Sequence, residues 1–210
     1  MIEKAKQYIE TLFAGDSGGH DVFHTLRVLH LAERIAAEEG ADLETVQLAA
    51  LLHDADDRKL SPETHENQGN ARAFLASQGM EQTKIDEICH IISQISFKGT
   101  GSTIPDTIEG KCVQDADRLD AIGAVGIART FAFGGSKGRK MYDPSEPPNL
   151  NMDENAYAKN QGHTINHFYE KLLLLKDLMN TDAAKRLAEA RHRFMEDFLS
   201  EFYAEWQGEK

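Results

Sequence analysis

The chain of 210 residues has little of what breaks helices, staples loops or spans membranes. It holds five prolines, and three of them (Pro144, Pro147 and Pro148) share one short stretch. Nearly all the rest of the chain is therefore open to helix formation. There are two cysteines, Cys89 and Cys112, each beside apolar residues on an expected helix. With no sign of an oxidising compartment they read as buried free thiols, and they lack the spacing of a structural zinc site. No apolar run approaches the roughly 20 residues needed to cross a bilayer. The start of the chain reads as a short amphipathic helix and not as a signal segment. These absences predict a cytoplasmic protein with no membrane partner. Cations are also few, 23 Lys and Arg against 35 Asp and Glu, for a net charge of −12. Such a surface repels the phosphate backbone of long nucleic acids. It leaves room for a small phosphorylated ligand wherever a few cations converge.

What is present is helical periodicity. Apolar residues recur at steps of three and four in Ile2 to Phe13 and in Asp21 to Glu39, where Val28, Leu31, Ala32 and Ile35 mark one face. Gly40 closes that segment, and Asp42 with Thr45 three residues on predicts a capped start for the next. Val46, Ala49, Ala50 and His53 share its face. Further helices are expected over Glu66 to Gln78 and Gln82 to Ser96. From Pro105 to Phe133 the pattern is helical with small contact residues (Ala116, Ala121, Gly123, Ala124, Gly126, Ala128), which predicts a central helix packed on several sides. Gly134 to Met152 reads as one long irregular loop, followed by helices over Glu154 to Met179 and Asp182 to Trp206. The expectation is an all-α bundle forming a single domain, residues 1–210. The last two helices pack back on the same body, and the aromatic end of the final one (Phe198, Phe202, Tyr203, Trp206) packs internally or against a second copy. Either a monomer or a homodimer fits.

Three segments place His or Asp where a solvated surface does not explain them. His24 falls on the apolar side of its helix, in line with Val28 and Leu31, with Arg27 one turn further on. His53 ends a helix and continues its buried face, and Asp54, Asp56 and Asp57 follow it directly. Carboxylates suit the negative end of a helix only if a cation is there. On the helix of small residues, Asp117 shares a stripe with Val113, Ala116 and Asp120, where a desolvated carboxylate needs a metal or an arginine beside it. Each feature alone is open to a structural reading: a core histidine, a solvated helix end, an internal ion pair. Together they bring two His and several Asp from three helices, a set that leaves open coordination positions on a six-coordinate ion.

The ordered set His24, His53-Asp54 and Asp117 resembles the H…HD…D pattern of the HD-domain metal-dependent phosphohydrolase superfamily. The strings His24-Thr25-Leu26-Arg27-Val28, Leu51-Leu52-His53-Asp54 and Asp115-Ala116-Asp117-Arg118-Leu119-Asp120 are similar to a small bacterial branch of it, as are Tyr169-Glu170-Lys171-Leu172 and Lys176-Asp177-Leu178-Met179. The resemblance implies one divalent metal ion (Mn²⁺ or Mg²⁺ first; Co²⁺, Fe²⁺, Ni²⁺ or Zn²⁺ also fit) and hydrolysis of phosphate esters or anhydrides, often in nucleotides. It implies His24, His53, Asp54 and Asp117 as ligands, with Asp115 and Asp120 close rivals of Asp117. Asp57, three residues after Asp54, stands where several branches carry a general acid or base, so Asp57 and Asp54 are the catalytic candidates. Arg27, Lys98 and Arg118 are the cations best placed by sequence to meet phosphate, with His20 beside them, while Lys137, Arg139 and Lys140 of the long loop fit either a solvated surface or a lid over the substrate. Two other readings stay open: an HD-type di-iron oxygenase drawing on His65 and His90, and a nucleotide-sensing module without turnover.

Overall fold

The computed structural model describes residues 1–14, 22–58, 60–96, 103–150 and 161–210. Among them there are helices and turns and no strand, so the architecture is all-α. No helix of the described residues is long and apolar enough to cross a membrane. The chain forms two compact units, the first ending at Asp117 and the second running from Arg118 to Lys210.

The first unit contains α1 (Ile2–Leu12), α2 (Val22–Glu39), α3 (Leu43–Leu52), α4 (Gly69–Ser77), α5 (Gln82–Ser93) and most of α6 (Ile108–Asp120). Its hub is α3, which packs against α1, α2 and α5. An element apolar on all sides has to be enclosed, and Thr45, Val46 and every residue from Leu48 to Leu52 are buried. The Asp42 carboxylate starts α3 by accepting from the Thr45 amide at 2.9 Å, and the Asp42 amide donates to Glu109 of α6 at 3.0 Å. On α2 the core face is Val28, Leu29, Ala32, Ile35 and Ala36, so Leu29 replaces the expected Leu31. Both cysteines are buried and free.

The second unit contains α7 (Gly123–Ser136), α8 (Thr164–Glu170), a 3₁₀ segment (Leu172–Leu178) and α9 (Asp182–Gln207). Aromatic rings join them: Phe168 stacks on Phe198 at 5.8 Å, and Phe131 meets Phe198 edge-on at 5.9 Å. Tyr142 of the α7–α8 connection contacts Phe202, Tyr203 and Trp206 of α9. The aromatic end of the last helix therefore packs within its own unit, with Trp206 half exposed.

The continuous helical pattern from Pro105 to Phe133 is divided. Gly123, at φ +77°, turns the chain between α6 and α7. The carbonyls that α6 leaves open are taken up by arginines, Arg191 on Leu119 and Arg129 on Asp120. Gly126 lies so close to this turn that a Cβ there would come within 2.2 Å of the Ala121 carbonyl oxygen. Ala124 and Ala128 are exposed, so the small residues of α7 serve the turn and not a face packed on several sides. The helix expected from Glu66 begins only at Gly69, after a series of turns, and α5 stops at Ser93. Of the segment expected from Glu154 to Met179, the described part is helical only over α8 before it tightens into the 3₁₀ segment.

Candidate metal centre

His24 lies in the first turn of α2 and is buried. His53 follows α3 directly as its C-cap and keeps helical dihedrals, φ −59° and ψ −33°. The chain then turns, with the Ala55 amide on Leu52 O and the Asp57 amide on Asp54 O. That turn is what lets adjacent side chains, which diverge by about 100° inside a helix, aim at one point. His24 Nε2 is 3.5 Å from Asp54 Oδ2 and 3.5 Å from Asp117 Oδ1, and His53 Nε2 is 3.3 Å from Asp54 Oδ2. Ligand atoms of His24, His53 and Asp117 lie within 4.8 Å of one another. The two imidazoles meet edge to face at 5.4 Å. All four side chains belong to the first unit.

The rivals on α6 are placed differently. Asp120 pairs with Arg129 at 2.6 Å. Asp115 is buried, and after burial itself its charge is the main cause that pushes the Cys112 thiol up to about 12. Among the carboxylates of α6, Asp117 is the one that reaches the histidines.

The protonation of His53 decides what this cluster can hold. Its Nδ1 is 2.7 Å from the Ala50 carbonyl oxygen. A carbonyl only accepts, so Nδ1 carries the hydrogen and Nε2 of the neutral ring presents a lone pair. That Nε2 is buried, outside hydrogen-bonding geometry, and faces carboxylate oxygens. A lone pair turned toward anionic oxygens repels them unless a cation stands between. Burial acts to lower the His53 pKa, but the charges of Asp54 and then Asp117 outweigh it and hold the ring at about 9. The same cluster that draws a proton this strongly fits a divalent metal ion, with imidazole nitrogen and carboxylate oxygen as its donors. The Ala50 carbonyl fixes the tautomer as an outer partner of a metal-binding His does.

The other candidates are dispersed or engaged. Arg27 is half buried on α2, one turn beyond His24, and Asp57 is half buried in the turn after α3. Arg118 is buried in the second unit and donates to the Leu178 carbonyl. His20 and Lys98 lie outside the described residues. Lys140 pairs with Asp143 at 2.5 Å and lies 3.5 Å from Glu146, while Lys137 and Arg139 stand over the Phe133 ring at 5.7 and 5.6 Å. The carbonyls of Lys140 and Met141 accept from the first amides of α8, Thr164 and Ile165. His65 donates to the Asp56 carbonyl, and His90 pairs with Asp106 at 2.9 Å. Reading by sequence gave Asp56 no role of its own and left Asn70 unnoticed. Asp56 is in fact buried, with both oxygens on the first turn of α4. The available signal was a carboxylate upstream of a helix whose own N-cap position, Gln68, is a poor capping residue.

Comparison with known proteins bears on the same residues. The model of the HD domain family matches residues 22–122, which include both histidines and both carboxylates of the cluster. YpgQ of Bacillus subtilis is 42% identical over 201 residues, covering 95% of this chain and 90% of its own length. A crystal structure of YpgQ in complex with ADP superposes with a TM-score of 0.77 at 39% identity, covering 98% of this chain and 97% of that one. A crystal structure from Lactobacillus plantarum gives a TM-score of 0.88 at 40% identity, covering 99% and 97% of the two chains. An HD-superfamily hydrolase from Bacillus thuringiensis gives 0.78 at 43% identity, covering 98% and 96%.

Proposed function

The chain belongs to the HD domain family, and from that premise we propose that it is a metal-dependent phosphohydrolase acting on a small phosphorylated metabolite, with nucleotides as the substrate class. The observation that carries this reading is the convergence of His24, His53, Asp54 and Asp117 on one point beside His53 Nε2. An ion held there by these four side chains, Mn²⁺ or Mg²⁺ in the first place, supplies Lewis acidity for a phosphoryl oxygen and makes a water more acidic. The chain's own residues do the rest. The Ala50 carbonyl keeps His53 in the tautomer that offers Nε2. Asp57, or Asp54 itself, takes the proton of the attacking water. Arg27, one turn beyond His24 on α2, meets the substrate's negative charge. The hydrolase name of the Bacillus thuringiensis relative and the ADP bound to YpgQ support the reaction class and the nucleotide. An acidic surface favours such small substrates over polymers.

The test is a panel of Mn²⁺, Mg²⁺, Co²⁺ and Zn²⁺ with nucleoside mono- and triphosphates on metal-stripped protein, reading phosphate, pyrophosphate and nucleoside separately. Pyrophosphate release identifies a nucleotide pyrophosphohydrolase and phosphate release a nucleotide phosphatase. Asp54→Ala is expected to lose both metal content and turnover, and an active Asp54→Ala enzyme would overturn the assignment. We further read residues 1–210 as one hydrolase domain, for which calorimetry should record one cooperative transition.

A further inference from the structure

Two residues outside the cluster hold the turn that shapes it. Asp56 accepts from the Asn70 amide at 2.9 Å through Oδ1 and from the Ala71 amide at 3.0 Å through Oδ2. These are the second and third amides of α4, which a helix cannot satisfy from within. Gln68, at the N-cap position, makes no side-chain cap and sits at φ +55°. A carboxylate brought from the end of α3 thus caps α4, on the side where the helix dipole favours negative charge. The tie is returned. Asn70 Nδ2 donates to the Ala55 carbonyl at 2.9 Å and shares its hydrogens with Ser61 Oγ at 3.1 Å and Thr64 Oγ1 at 3.2 Å. His65 Nδ1–H donates to the Asp56 carbonyl at 2.8 Å. Gly69 permits the closeness, since a Cβ there would stand 3.2 Å from Thr64 Cβ.

We propose that Asp56 and Asn70 are positioning residues of the metal centre, fixing the turn His53–Asp57 so that His53 and Asp54 point at one ion. The proposal rests on the metal reading of the cluster. Asp54 leaves the helix at the point where α3 ends, and its direction is set by the peptides that follow it. Ala55 and Asp56 are held on both main chain and side chain by residues of and before α4. Removing the tie frees Asp54 to turn to solvent, and the ligand set loses its shape while the helices remain.

The experiment is Mn²⁺ titration of the metal-stripped full-length protein, by calorimetry, at a temperature where circular dichroism shows every variant folded. Asn70→Ala is expected to raise the Mn²⁺ dissociation constant by roughly tenfold or more, the usual effect of losing an outer partner of a metal ligand. Ile88→Ala, which hollows the core of the same unit and removes none of the turn's hydrogen bonds, is the control. A merely structural role predicts that both variants weaken metal alike. The proposal instead predicts loss in Asn70→Ala with the control near wild type. Asp56→Asn, which keeps one acceptor for α4, is the milder second variant, expected to fall between. Wild-type affinity in Asn70→Ala and Asp56→Asn, or equal loss in the control, overturns the proposal. A wild-type protein that takes up no Mn²⁺ or other divalent ion sinks the metal reading itself, which is a separate result.

Discussion

Two histidines show opposite proton chemistry, and each makes a prediction. His53 is held at about 9, above its ordinary 6.5. The stabilisation it gives the metal-free protein is therefore complete below about pH 6.5 and is lost as pH rises through about 9. A metal ion must displace that proton, so its apparent affinity should climb with pH up to about 9, with close to one proton released per ion at pH 7. Mn²⁺ titrations in buffers of different ionisation enthalpy measure this, and a heat independent of buffer would show that Nε2 is already bare. His167 goes the other way. Burial, then the positive charges of Lys171 and Arg139, push it down to about 3. Its stabilisation is present above pH 6.5 and lost as pH falls toward 3, because the unfolded ring takes a proton that the folded ring refuses. His167→Gln should flatten the acid limb of the Tm-against-pH curve over that range. Neither behaviour was legible in the sequence, since each depends on neighbours from other segments. The candidate ligands were legible, because a histidine on an apolar stripe and carboxylates at a helix end contradict local preference.

At the scale of elements, helix interiors were readable and their ends were not. Periodicity located α1, α2, α3, α5 and α9 closely, since each buries one stripe or, for α3, nearly all of its length after the first turn. It missed the break after α6, because the Gly123 turn lies among small residues that also suit a helix, and the groups that hold it, Arg129 on Asp120 and Arg191 on Leu119, come from later in the chain. It missed the late start of α4 for the same reason: the cap is Asp56, far from the helix in sequence. Two substitutions test these ends. Gly126→Ala, favourable by helix propensity alone, should instead destabilise by roughly 1–3 kcal/mol, because the new methyl meets backbone and the turn must shift. Gln68→Gly should stabilise by up to about 1–2 kcal/mol, by relieving a left-handed conformation that L residues resist. Urea unfolding measures both, and a destabilised Gln68→Gly would show that the Gln68 side chain contributes more than its backbone costs.

For the whole molecule, the dominant facts are the charge of −12 and the gathering of carboxylates at one point. Acidic surfaces keep such a protein from long nucleic acids but raise the local concentration of divalent cations. An ion that binds the folded chain alone stabilises it by about 2.7 kcal/mol at a hundredfold excess over its dissociation constant. For a protein of this length that is a rise in Tm of roughly 5–10 °C. Mn²⁺ should produce it in the wild type and not in Asp54→Ala, while an equal concentration of Na₂SO₄ should not distinguish the two. The form of the response carries more than its size. The cluster lies wholly within the first unit. If the two units unfold independently, calorimetry will show two transitions and Mn²⁺ will move one of them. If a single transition moves as a whole, the ion stabilises residues 118–210 as well, and metal binding is then a property of the complete chain. The reading of residues 1–210 as one hydrolase domain requires the second result.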